Sequence, residues 1–340
     1  MSPHYLAFPL LFCYAGLIKN RKITKEDWIT PTGLRAKIFY PSEKKNLPGI
    51  YLQHGMSVLG IDDQRIAMLA ESLAYSGYSV VLPEFPEVKG LRFELSTIDN
   101  IQREALQLSQ SLEWYNGKKF GYFSVSFSSG LGLVALCRDK RPENLLAFMG
   151  IGGYANFQDT YPFVFQNYDK DNYGVMVLFY NFYEGLEPKL SKELKPIFWE
   201  AAMDNAFLRN PPLVPTLLEK CSKKAKEEFL RITGIPEYRW EVASAMKKTK
   251  PSELMLQFSP VGQVARCDFP ISLLHGVTDP VIAPQESQVL FHHLKSLGKK
   301  VVFRTSSAIV HGDQLPLHTQ IQGIPGLLLT FGSFLSWMGK

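Results

Sequence analysis

The stretch Lys119-Phe-Gly-Tyr-Phe-Ser-Val-Ser-Phe-Ser-Ser-Gly130 carries an apolar run straight into small residues. Phe120 to Val125 has the length and composition of a buried strand, and Phe127 to Arg138 reads as a helix. A strand that turns at once into a helix needs small residues two before and two after the turning point. The tight turn strains the central residue and pushes its side chain out above the sheet. With Ser126 at the centre the flanks are Ser124 and Ser128; with Ser128 they are Ser126 and Gly130. The Ser126 register is preferred, because residues 120–125 already fill a strand of typical length. The Ser128 register would delay the helix and bring Phe127 into the turn.

Outward from this junction, strand-like and helix-like segments alternate over 32–153 and again from 269 to the end. Strands are expected at 34–40, 49–53, 78–82, 145–151, 271–274 and 300–304. Asp62 or Asp63 caps a helix carrying Ile66, Leu69 and Leu73, and Gly77 stops it. Ile98, Ile101, Ala105, Leu108, Leu112 and Tyr115 form a second helical stripe. Further helices are expected over 284–297 and, at the end, from near Pro325 in a first-turn position. Strand–helix alternation predicts an α/β fold with a mostly parallel sheet flanked by helices.

Residues 154–264 break the rhythm and show no convincing strand. They read as a helical cap over the C-terminal edge of the sheet. The 161–183 segment is dense in aromatics, and Phe163, Phe165 and Phe179 are candidates for an apolar substrate wall. Plain packing of the cap is the competing account. The lysines at 220–226 and 247–250 read as a solvated face. The division expected is an N-terminal apolar segment (1–31), a core (32–153 with 265–340) and the cap (154–264).

The chain has 340 residues, 46% hydrophobic and 20% charged, with a net charge of +5. That excludes a disordered chain and gives no argument for nucleic acid. Cys13, Cys137, Cys221 and Cys267 are far apart, so neither a zinc site nor a disulfide framework is expected. Free thiols suit a reducing, cytoplasmic compartment. No phosphate-binding loop, dinucleotide fingerprint or H-E-x-x-H occurs, so no cofactor and no metal is expected.

Tyr5 to Ile18 is almost wholly apolar, is interrupted by Pro9 and is followed by Lys19, Arg21 and Lys22. It is short for a spanning helix, and its charge lies on the wrong side for a secretory leader. A packed segment is the first reading. Peripheral membrane contact through residues 5–18 is the second, and a cleaved or spanning segment the third.

Three further segments carry chemistry. Gly49-Ile-Tyr-Leu-Gln-His-Gly-Met-Ser57 ends a strand in a loop where ligands of such sheets sit. That loop can aim the Met56 N–H at a developing oxyanion, opposite the N–H of Phe127. His54 reads as support for the loop rather than as a catalytic group. In Ile271-Ser-Leu-Leu-His-Gly-Val-Thr-Asp-Pro280, Asp279 at a strand tip can orient a histidine, or merely cap the turn. In Arg304-Thr-Ser-Ser-Ala-Ile-Val-His-Gly-Asp313, His311 follows the last strand and suits a general base.

The order oxyanion loop, Ser, Asp, His resembles that of the α/β-hydrolase superfamily, over residues 32–153 and 265–340. The resemblance implies Ser126 as nucleophile, Asp279 as acid, His311 as base, and Met56 and Phe127 as oxyanion donors. Ser124 and Ser128 replace the family's usual glycines, and the loop after the first parallel strand lacks the His-Gly-Gly-Gly form. The implied reaction is hydrolysis, through an acyl-enzyme, of a small-molecule carboxylic ester or thioester, and the aromatic-rich cap and apolar N-terminus favour a long or bulky apolar acyl group. Acyl transfer, or a binding protein on a hydrolase-like fold, are the alternatives.

Overall fold

A computed structural model describes residues 3–18, 22–43, 47–111, 119–249, 251–309 and 317–339. The chain divides into two compact units, Met1–Asn156 with Phe258–Lys340, and Phe157–Gln257.

In the first unit the described strands are β1 (Ile23–Ile29), β2 (Arg35–Pro41), β3 (Gly49–Gln53), β4 (Ser79–Pro83), β5 (Phe120–Val125), β6 (Leu145–Ile151), β7 (Ile271–Gly276) and β8 (Val301–Ser306). They form one sheet in the order β1-β2-β4-β3-β5-β6-β7-β8. The β1–β2 and β2–β4 pairs are antiparallel and all others parallel. The α-helices described in this unit up to β6 are α1 (Phe8–Tyr14), α2 (Gln64–Tyr75), α3 (Pro86–Lys89), α4 (Ser96–Ser109) and α5 (Phe127–Leu136).

The second unit is helical, with α6 (Phe157–Gln166), α7 (Tyr173–Phe182), α8 (Pro188–Ala206), α9 (Val214–Leu218), α10 (Lys223–Gly234), α11 (Pro236–Lys247) and α12 (Pro251–Phe258), which runs to the boundary. The first unit resumes with α13 (Pro284–Ser296) and α14 (Leu317–Trp337).

Successive strand residues face opposite sides of a sheet, and both faces here are apolar. Ile50, Leu52, Val80, Leu82 and Phe123 share one buried cluster with Leu69 and Leu73 of α2 and with Phe331, Phe334 and Leu335 of α14. On the other face Tyr51 stacks on Tyr122 at 4.5 Å, and Tyr122 on Phe148 at 5.8 Å. This aromatic ladder follows the register of β3, β5 and β6. Two glycines let helices come close. A methyl at Gly121 would stand 2.8 Å from the Phe334 ring of α14. One at Gly132 of α5 would stand 2.7 Å from Gln53 Oε1.

Two expectations need correction. Residues 1–31 are not only an apolar segment, because they contain β1. Its sequence Ile-Thr-Lys-Glu-Asp-Trp-Ile is mostly exposed and pairs on one side alone. An edge strand keeps charge to deter further pairing, and that charge hid it. The last helix begins at Leu317, with Pro325 inside it. The first-turn preference of proline pointed to a start eight residues too late. The stripe from Ile98 ends in α4 at Ser109, while Leu112 and Tyr115 lie outside the described residues.

The aromatics of 161–183 pack the helical unit itself. Phe179 stacks on Phe198 at 5.1 Å, Phe165 meets Phe179 edge-on at 5.4 Å, and the Tyr161 hydroxyl donates to Ala243 O at 3.0 Å.

Candidate active site

The sheet order reverses around β3. The chain leaves it through α2 to β4 on one side, then crosses back to β5 on the other. Parallel sheets open a crevice at such a switch point, beyond the carboxyl ends of the strands. The segments that end there are His54-Gly55-Met56 after β3 and Ser126 after β5.

The β3 loop is held by a histidine. The His54 Nε2 accepts the Phe85 N–H at 3.0 Å, so the proton lies on Nδ1, which donates to Gly55 O at 2.8 Å. Burial lowers the His54 pKa below the usual histidine range and keeps the ring neutral. His54 thus ties the β3 loop to the segment after β4. Gly55 lies against the next strand's end: a methyl there would stand 3.2 Å from Ser126 Cβ.

Ser126 adopts φ 56° and ψ −143° as the residue before α5. Positive φ is rare outside glycine and costs a serine about 1–3 kcal/mol. The backbone is fixed on both sides, since Ser126 N–H donates to Ile151 O at 2.7 Å and Ser126 O accepts from Ser129 N–H at 2.9 Å. Ser126 is half-buried and reachable. Ser128 lies in the first turn of α5 at 0% exposure, and its hydroxyl has no partner among the described residues.

The departures from glycine have local explanations. The Ser124 side chain points to the α5 face and donates to Gln53 Oε1 at 3.1 Å, beside Tyr122 OH at 2.7 Å on the same oxygen. A serine at 124 is therefore accommodated by a glutamine beneath the turn. At 128 the small side chain fits, at the cost of a buried hydroxyl.

Asp279 sits in the loop after β7, 5% exposed. One carboxylate oxygen accepts the N–H groups of Val281 (2.8 Å) and Ile282 (3.0 Å). The other lies 3.4 Å from His275 Nε2. His275 is fully buried. Its Nε2 faces two acceptors, Ile282 O at 2.9 Å and this carboxylate, so that nitrogen carries the proton. Its Nδ1 bonds Ser287 Oγ at 2.7 Å, and Ser287 also reaches Gly153 O at 3.1 Å. Next to it, Glu286 Oε2 accepts the N–H groups of Ala155 (3.0 Å) and Asn156 (2.9 Å). The acid loop is thereby bound to β7, to α13 and to the chain leaving β6. No local sequence pattern announces this brace, because its partners Ser287 and Gly153 lie far from His275 in the chain.

His311 lies outside the described residues. Met56 and Phe127 occupy the two segments that flank the crevice. Phe127 stands at the centre of an aromatic group: Phe93 meets it edge-on at 4.9 Å, Tyr154 stacks on it at 5.1 Å, and Phe258 is edge-on at 6.0 Å. None of these three was singled out from the sequence. Of the aromatics that were, Phe165 and Phe179 are buried in the helical unit's own packing, and Phe163 is half-buried.

We propose that His275 is a positioning residue for Asp279, on the reading of Asp279 as the acid of a triad. His275→Ala should lower kcat by between about tenfold and a hundredfold with little change in KM, as a displaced catalytic group does. His275→Gln, which keeps a donor near Ile282 O, should recover part of the loss. Equal KM and kcat effects, or no recovery in the glutamine variant, would show a purely structural role.

No protein-family profile matches the chain, and no curated protein sequence does. Solved structures do. Esterase B of Lactobacillus rhamnosis, solved with a tributyrin phosphonate inhibitor, superposes with a TM-score of 0.56 at 12% identity, covering 98% of this chain and 92% of that one. An esterase of Pyrobaculum calidifontis gives 0.55 at 13% identity, over 98% and 91%. The acylaminoacyl peptidase of Pyrococcus horikoshii gives 0.53 at 13% identity, covering 96% of this chain but 42% of that one. The chain thus spans less than half of that peptidase. At these identities the likeness is one of fold.

Proposed function

On the α/β-hydrolase fold that the chain carries, we propose that it is a serine hydrolase acting on a carboxylic ester or thioester with an apolar acyl group. The observation that carries this reading is the strained, reachable Ser126 beside Gly55 at the switch point of the sheet. A serine gains nothing for stability from φ 56°, and a turn of that shape presents Oγ to a bound carbonyl.

Ser126 Oγ attacks the acyl carbon while His311 takes the hydroxyl proton. The carbonyl oxygen becomes an oxyanion, met by the backbone N–H groups of Met56 and Phe127. Each donor of this kind contributes about 10²–10³ in rate. Collapse breaks the bond to the alcohol or thiol, which leaves with the proton from His311 and yields acyl-Ser126. Water, deprotonated by His311, then releases the acid. Asp279 holds the imidazole in the required tautomer and stabilises its charged form. Its two backbone donors and the His275 contact suit an ionised carboxylate.

The acyl preference rests on Phe93, the half-buried ring that meets Phe127 edge-on at 4.9 Å; Tyr154 and Phe258, both fully buried, only pack Phe127. Apolar burial contributes up to ~0.8 kcal/mol per methylene, about fourfold in kcat/KM. A series of p-nitrophenyl esters of increasing chain length should therefore rise in kcat/KM before levelling, and Phe93→Ala should flatten the rise. A preference for acetate that Phe93→Ala leaves unchanged would remove the apolar-acyl assignment. An added alcohol that captures the acyl group in place of water would mark a transferase.

A further inference from the structure

The N-terminal segment is apolar on every side. A 3-10 turn over Pro3–Ala7 runs into α1; Ala7 of the turn and Leu10 of α1 are buried in one cluster with Phe331, Phe334 and Leu335 of α14 and with Met338 just after it. The opposite side is not polar. Tyr5 (48% exposed), Phe8 (39%) and Phe12 (42%) follow one another at helical spacing, and the Phe8 and Phe12 rings lie 5.5 Å apart. Tyr14 and Leu17 are exposed as well. A helix fixed to a fold by one face ordinarily shows charge on the other, so this aromatic row has no folding reason.

The sequence that follows the row is basic up to Glu26, with Lys25 paired to Glu71 at 2.7 Å and Asp63 beside Arg65 near the Tyr14 hydroxyl. The first 25 residues contain Lys19, Arg21, Lys22 and Lys25 and no Asp or Glu. Lys22 is exposed, at the entry to β1. Among the described residues no helix is long and apolar enough to cross a membrane, and α1 has seven residues. The row is also too small for a stable dimer. A few half-exposed aromatic side chains offer roughly 400 Å², against about 800 Å² per partner in a standard interface.

We propose that residues 5–17 lie on an anionic bilayer surface, with Tyr5, Phe8 and Phe12 in the boundary between headgroups and acyl chains and Lys22 at the lipid phosphates. The segment is preformed and braced by α14, so little ordering is needed on contact. The surface contact and the chemistry at Ser126 are separate claims.

The test is sedimentation of the full-length protein with phosphatidylcholine vesicles, with and without phosphatidylserine. Binding is expected to the anionic vesicles, to be weaker on pure phosphatidylcholine, and to fall with added salt. Phe8→Ser with Phe12→Ser should reduce partitioning by at least about tenfold. Lys22→Ala, which removes no packing, should reduce it about fivefold. The melting temperature of each variant reports its fold. If the doubly substituted protein is unstable, the Lys22 variant and the salt dependence carry the test alone. Absence of binding to anionic vesicles, or binding indifferent to Lys22 and salt, would overturn the proposal. So would a wild-type dimer in sedimentation equilibrium without vesicle binding.

Discussion

Ser126→Ala should fold like the parent and lose turnover by roughly 10⁴–10⁶-fold, the cost of removing an acylated nucleophile. The two expectations separate cleanly at this position. Alanine and serine share the strain of φ 56°, and the change removes one oxygen from a half-buried site, so stability should move by less than about 1 kcal/mol. Ser126→Gly extends the argument. Glycine relieves the backbone strain but adds about 1 kcal/mol of chain entropy to the unfolded state. Its stability should therefore equal or exceed that of Ser126→Ala while its activity is equally low. A strained residue whose relief stabilises the fold and abolishes turnover is one kept for chemistry. If Ser126→Ala retains most of its activity, the nucleophile is elsewhere, and Ser128→Ala becomes the next variant to assay.

The second large effect lies in how losses combine. His311→Ala should cost on the order of 10⁶ in kcat and Asp279→Asn about 10⁴. If the two side chains acted independently, the double variant would lose about 10¹⁰. If Asp279 works only through His311, the double variant should lose little more than His311→Ala alone. Asp279 has a structural job too, because its carboxylate accepts two N–H groups of its own loop. Asparagine keeps one acceptor oxygen, so the loop should persist, and the melting temperature of Asp279→Asn checks this. Multiplied losses would sink the triad assignment of Ser126, His311 and Asp279 while leaving the fold intact.

The elements that could be read from sequence are those whose surroundings impose one pattern. β3 and β5 are buried on nearly every residue, so each is a mostly apolar run between turn residues, and their bounds were legible to the residue. α2 was legible because Asp63 caps it, accepting the Arg65 N–H, and Gly77 at φ 91° closes it. β1 was not, since an edge strand that faces water can be built from Lys25, Glu26 and Asp27. The site divides in the same way. Ser126 and the His54 loop sit in local patterns of a few residues. The brace of Asp279 by His275, Ser287 and Gly153, and the grouping of Phe93, Tyr154 and Phe258 on Phe127, join residues far apart in the chain. No periodicity announces such contacts. The aromatic density of 161–183 pointed to a substrate wall, yet Phe165 and Phe179 serve the packing of their own helices.

The central claim is that Ser126 is the residue acylated. Its most direct test is a fluorophosphonate probe on the full-length protein, with the labelled peptide sequenced by mass spectrometry. The reagent phosphonylates an activated serine with loss of fluoride and needs the general base as well as the hydroxyl. The account predicts one adduct, on Ser126, lost in both Ser126→Ala and His311→Ala. An adduct on Ser128, or a folded protein that the probe leaves unlabelled, would contradict it.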